Sequence, residues 1–148
     1  MMHNIPIRLL AVEGIDQVLI GELRHPIVEA VDYQVVSVNR FTVSMRVLDR
    51  ICSRRDSEEH RRLRNVEREL ARTMGLMVIF IDTSPSECYE RSVKEGNPRY
   101  TVAELAAQRQ LFLEELPRGD IPVLTVKSEG RAIGDIAKEC ATWIKALG

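Results

Sequence analysis

Apolar residues fall into two patterns along this chain: short unbroken runs, and longer stretches where they recur at helical spacing. "LMVIFID" at 76–82 and "IPVLTV" at 121–126 are of the first kind, too short for helices and suited to strands covered on both faces. Helix starts are marked by side chains able to satisfy the free amides of a first turn. "DSEE" offers Asp56 with Glu59, "SPSE" offers Ser84 with Glu87 and a proline at the first helical position, and "TVAE" offers Thr101 with Glu104. These signals predict helices near 57–74, 85–95 and 102–116, with Gly75 and Gly96 at left-handed stops and Pro117 ending the third. Ile133, Ile136, Ala137, Cys140, Ile144 and Leu147 repeat at helical spacing and predict a last helix over about 131–147. The order from Asp56, αβααβα, predicts an α/β layered domain around a parallel sheet, with residues 1–148 as one domain.

Ahead of Asp56 the pattern conflicts with itself. "IRLLAV" and "QVLIGE" both look like buried strands, and "PIVEAVDYQVV" looks like a helix beginning at Pro26. Only "EGID" separates the two runs, whereas adjacent parallel strands need a crossover of about a dozen residues. The link therefore permits a hairpin, a bend, or one of the two runs not being a strand.

Composition narrows the classes. With 45% hydrophobic and 29% charged residues and a net charge of −1, the chain has no global field to attract nucleic acid or a membrane. Cys52, Cys88 and Cys140 are far apart and form no CxxC pair, which favours reduced thiols over disulfides or a zinc site. "MMHNIPIRLL" is not a basic region followed by a long apolar run, and no stretch approaches the roughly 18 apolar residues of a membrane span. The expectation is a cytoplasmic protein without a membrane partner.

"RLLAVEGID" resembles the opening of thymidylate kinases, where a first strand ends in a similar EGxDG sequence and continues into G-x-x-x-x-G-K-[ST]. Here Gln17 follows Asp16 and that loop is absent. "VLIGELRHPIVEAVDYQ" resembles the family strand ending in an Asp-Arg pair and the tyrosine-bearing helix after it, in a phage-like form. "VIFIDTSPSECYER" is similar to the strand, turn and arginine-ending helix before the kinase lid. "KEGNPRYTVAELAAQRQLFLEEL" and "IPVLTV" stand in the places of the lid, its following helix and the closing strand. The resemblance implies a P-loop-kinase-like fold, with a short, mainly parallel sheet flanked by helices, missing the P-loop and the helix that follows it.

The departures decide what chemistry the resemblance can carry. Transfer of a phosphoryl group from ATP needs the loop's amides and lysine on the donor phosphates and its Ser/Thr near magnesium. The lysines are Lys94, Lys127, Lys138 and Lys145, none in a Gly-rich run, and the family's Asp aligns with Leu23. The implied function is a thymidylate-kinase-like nucleotide-binding protein, inactive or incomplete as a phosphotransferase, with a deoxynucleoside monophosphate as ligand and no cofactor or metal named by the residues. The alternative is a non-catalytic regulatory or protein-interaction module, acting as a homo-oligomer or with a protein partner through an Arg-rich helix and an unfinished sheet edge.

Six residues are candidates for binding the nucleotide and its phosphate. Arg24 matches the family arginine on the acceptor phosphate and, with His25, is expected at the carboxyl end of a strand, where open α/β sheets place ligands. Tyr33 resembles the tyrosine of the acceptor-site helix. Arg91, Lys94 and Arg99 surround "KEGNPRY" like the cations of a lid, although the same charges suit a solvated helix end. Asp82 reads as a turn former, and Phe112 stands near where the family often has a tyrosine. From Arg40 to Arg72 there are ten arginines against six acids. The acids Glu58, Glu59, Glu67 and Glu69 are interleaved, so this segment reads as a solvated, ion-paired helix, and the lack of interleaved aromatics argues against nucleic acid.

Overall fold

The computed structural model describes residues 7–53 and 58–147. β1 (Arg8–Glu13), β2 (Val35–Asn39), β3 (Met77–Asp82) and β4 (Val123–Lys127) form one sheet, in the order β2-β1-β3-β4. All pairings are parallel: Leu10 lies opposite Ser37 on one side and Met77 on the other, and Asp82 lies opposite Lys127. Among the described residues six α-helices flank it: α1 (Gln17–Ala30), α2 (Thr42–Ser53), α3 (Glu58–Met74), α4 (Pro85–Lys94), α5 (Val102–Glu115) and α6 (Ile133–Leu147). This is the α/β layered architecture expected from the sequence. Asp56 and its capping box lie outside the described residues.

The two central strands explain the unbroken apolar runs. Alternate residues of β1 and β3 point to opposite faces, and both faces are covered. Leu10, Val12, Met77, Ile79 and Ile81 pack with Leu19, Ile20, Leu23 and Ile27 of α1 and with Ile136, Cys140 and Ile144 of α6. Leu9, Ala11, Val78 and Phe80 face the other way, onto Val43 and Val47 of α2, Cys88 of α4, and Leu105 and Phe112 of α5. The Phe80 and Phe112 rings lie 5.4 Å apart. Thr101 and Glu104 form the complete capping box that the sequence predicts, and Ser84 caps α4 by accepting from the Glu87 amide. Among the described residues no helix is long and apolar enough to cross a membrane.

Two expectations for the first third of the chain are corrected. "QVLIGE" is not a strand: it is the first half of α1, which Asp16 starts by accepting from the Leu19 amide at 3.1 Å. The sheet position after β1 is thus followed by a helix after all. Pro26 does not begin a helix but sits within α1, where it forfeits only a backbone bond to the carbonyl of the exposed Glu22. The supposed helix over 26–36 ends at Val31, after which Asp32 and Tyr33 take left-handed φ values of 53° and 59° and turn the chain into β2. Leu23, which the sequence resemblance set against an aspartate, is fully buried in the α1 face of the core.

Candidate functional site

A parallel sheet gathers the carboxyl ends of its strands on one edge, and the change of winding direction between β1 and β3 opens a crevice there. The loops after β1 and β2 reach this edge, as does the connection from α4 to α5. Two adjoining cavities, about 280 and 330 Å³, lie among them and share Ile15, Gln17, Arg40 and Tyr100. Each is near the lower end of the roughly 300–1,000 Å³ common for small-molecule sites. The first has apolar walls from α2 and α5, including Met45, Leu48 and Phe112, with the Gln108 amide among them. The second adds Arg99, Asn97 and Glu95 from the α4–α5 connection and Cys88 from α4.

Only three residues, Gly14 to Asp16, join β1 to α1. They cannot wrap a phosphate chain, and the Asp16 carboxylate occupies the start of α1, where a phosphate would otherwise meet free amides. Asp16 is 1% exposed and forms an ion pair with Arg91 of α4. The protein thus supplies its own anion at this helix start, and Arg91 is committed to it. Cys88 donates to the Ile15 carbonyl at 3.5 Å. Burial, and then the Asp16 charge, push its thiol up to about 12, so it stays protonated and is no nucleophile.

Arg40 has the opposite character. It follows β2 with a left-handed φ of 49°, a conformation that ordinary residues adopt at an energetic cost and that concentrates at functional sites. It lines both cavities, and neither it nor Arg99 has an ion pair or hydrogen bond among the described residues. Of these two uncommitted arginines, Arg40 borders the apolar slot and Arg99 the adjoining cavity.

Glu13 anchors the β2–α2 loop from below. Its fully buried carboxylate accepts from the Phe41 amide at 2.8 Å, the Ser44 amide at 2.7 Å and the Ser44 hydroxyl at 2.9 Å, fixing the start of α2 to the end of β1. Burial pushes Glu13 above its ordinary 4.5, against the lowering effect of those bonds. A raised acid contributes stability that is complete below 4.5 and is lost as pH rises through its folded value. Glu13→Gln removes this titration. Subtracting the variant's pH–stability curve from the parent's, both by urea denaturation, should leave a difference that falls as pH climbs above 4.5; a flat or rising difference contradicts the assignment.

The six candidates from the sequence separate. Arg99 lines the second cavity, Arg91 stands beside it on Asp16, and Lys94 is exposed in the last turn of α4. Arg24 and His25 are not at a strand end but within α1. Arg24 reaches sideways onto β2, donating to the Ser37 carbonyl at 2.8 Å and the Ser37 hydroxyl at 3.2 Å. Exposed His25 lies 3.5 Å from Glu29, and its ring centroid is 6.3 Å from that of Tyr33. None of these three lines either cavity. Asp82 is more than a turn former: Arg109 of α5 grips it with two bonds of 2.7 and 3.0 Å. Sequence reasoning missed Arg40, Gln17 and Glu13; the available signal was the position of Arg40 just past an apolar run, hidden while residues 35–36 were assigned to a helix.

The fold and crevice define a Rossmann-like α/β protein. Among solved structures it is similar to the YorR protein from Bacillus subtilis, crystallised in complex with phosphorylated GDP. The TM-score is 0.62 and the identity 15%, over 94% of this chain and 96% of that one. At this identity the likeness is one of fold. A de novo designed Rossmann fold protein aligns over 95% of this chain and 96% of its own at 16% identity and a TM-score of 0.34. No protein-family model matches the sequence, and no curated protein matches it significantly.

Proposed function

We propose that this chain binds a deoxynucleoside monophosphate at the carboxyl edge of its sheet, as a thymidylate-kinase-like protein that keeps an acceptor site and lacks a donor site. The observation that carries this reading is the joining, through Gln17, Arg40 and Tyr100, of an apolar slot between α2 and α5 to two uncommitted guanidiniums. The slot suits a nucleobase, and Arg40 and Arg99 suit a phosphate, with Lys94 adding positive charge on the α4 side. The fold neighbour YorR, crystallised with phosphorylated GDP, supports a nucleotide as the ligand class. Asp16 argues against ATP held in the P-loop manner, so this reading assigns no phosphoryl transfer to the chain alone.

Thymidine monophosphate is the first ligand to test, with thymidine as control, by thermal stabilisation and calorimetry. Only the monophosphate should stabilise the protein. Charge-assisted hydrogen bonds contribute about 1.5–3 kcal/mol each, so Arg40→Ala should weaken binding roughly ten- to a hundredfold, while Arg24→Ala leaves it unchanged. Equal effects of thymidine and its monophosphate, or none from either, overturn the reading. The open edge of β2, where Val36 is 53% exposed, would then favour the interaction module. That module should show mass rising with concentration in sedimentation, unaffected by nucleotides.

A further inference from the structure

We infer that Arg24 guards the open edge of the sheet: by holding the outward carbonyl of Ser37 it keeps β2 from pairing with β2 of a second copy of this chain. The inference is independent of the nucleotide reading. β2 is an outer strand with β1 on one side, and among the described residues no strand pairs with its other side. The Arg8 amide donates to the Gln34 carbonyl at 3.2 Å, and in a parallel ladder the backbone groups of successive residues face alternate sides. Gln34, Val36 and Val38 therefore turn their N–H and C=O toward β1, while Val35, Ser37 and Asn39 turn theirs outward. Ser37 is the middle residue of the strand.

Arg24 reaches that carbonyl from α1. Its Nη2 donates to the Ser37 carbonyl at 2.8 Å, its Nε to the Ser37 hydroxyl at 3.2 Å and its Nη1 to Asn39 Oδ1 at 3.4 Å. The guanidinium is thus held across the edge, where the amide of an added strand would come. The strand itself does little to repel a second copy: "VVSVN" carries no charge, and Val36 is 53% exposed. An antiparallel pairing about a two-fold axis at Ser37 would set Val36 against Val38 of the other copy, with no like charges opposed. Its two central bonds would join the Ser37 amide of each copy to the Ser37 carbonyl of the other, and Arg24 occupies both of those carbonyls. The opposite edge has a different protection. The Pro122 carbonyl and the Ser128 amide bond to β3, so Val123, Thr125 and Lys127 face outward; Lys127 is exposed and charged, and its carbonyl accepts from Arg131 at 3.4 Å.

The test is sedimentation velocity over a range of concentrations, comparing the parent with Arg24→Ala. Each copy must give up a charge-assisted bond in order to pair, so its removal from both should strengthen self-association roughly a hundredfold. Hydrogen exchange locates the contact: the Ser37 amide should be slowed in associated Arg24→Ala relative to the parent. Combining Arg24→Ala with Ser37→Pro separates edge pairing from the stickiness of a weakened fold. The Ser37 amide faces away from β1, so a proline there breaks no bond of the sheet but removes the donor that a second copy needs. The double variant should therefore return to the parent's mass, and Ser37→Pro alone should leave that mass unchanged. The inference is overturned if Arg24→Ala associates no more than the parent, if its association persists with Ser37→Pro, or if the parent itself associates and Ser37→Pro abolishes it.

Discussion

Arg46→Ala should destabilise the protein by about 3–5 kcal/mol, the loss typical when one member of a buried ion pair is removed and its partner stays behind. Arg46 is fully buried on α2, bonded to Glu67 of α3 at 3.1 Å and to both the side chain and carbonyl of Glu115 of α5, at 2.8 and 2.9 Å. Glu67 and Glu115 are 1% and 0% exposed, so water cannot replace the guanidinium. Glu115 also meets His60 at 2.8 Å, Arg118 at 3.1 Å and Arg50 at 3.2 Å, while the other ring nitrogen of His60 faces Asp49 at 3.2 Å. Urea denaturation measures the loss, and one below about 1 kcal/mol would contradict the assignment. Arg46→Met with Glu67→Leu removes a charge of each sign and should recover much of that loss, since an apolar replacement for a buried pair is often neutral or better.

The same network has an acid limit. Burial pushes the Glu115 carboxyl upward, but the hydrogen bond from Arg46 and the charges of His60 and Arg46 outweigh it and hold it below its ordinary 4.5. Its contribution is therefore present above 4.5 and is lost as pH falls through the lowered folded value. Because α2 and α5 are also the walls of the first cavity, the network holds that slot at its width.

Gly14→Ala is expected to destabilise the protein by roughly 2–4 kcal/mol, combining backbone strain with overpacking. Gly14 has a φ of 150°, and an added Cβ would stand 2.6 Å from the Ile81 carbonyl oxygen of β3 and 3.3 Å from the Ile20 side chain. The carbonyl belongs to a central strand and cannot move aside like a side chain, so β1 and β3 would be forced apart at the crevice. Gly96→Ala is the control: its φ is also positive, at 78°, but nothing lies within 4 Å of an added Cβ. A midpoint for Gly14→Ala equal to that of Gly96→Ala in urea denaturation would show that the close approach is not required.

Much of this fold is local chemistry and could be read from the sequence. The runs in β1 and β3 had to be strands covered on both faces, because no other short element buries every residue. Caps at Ser84 and Thr101 declared their helices through neighbours three residues away, and the residues after Gly14 already exclude a P-loop sequence there. The tertiary structure decided what depended on distant partners. Residues 17–22 fit a strand or a helix by pattern alone, and the Asp16 cap together with packing of Leu19, Ile20, Leu23 and Ile27 on the sheet selects the helix. Val35–Asn39 has strand-forming valines, but they adjoin a helical pattern, and only pairing with β1 sets where the strand begins. Arg46 and Glu67 fit a solvated, charge-striped segment in sequence; burial against Glu115, far along the chain, makes them interior. The crevice was likewise a product of assembly: Gln17, Arg40, Arg99 and Gln108 come from separate elements and face one space only after the sheet has brought its carboxyl ends together.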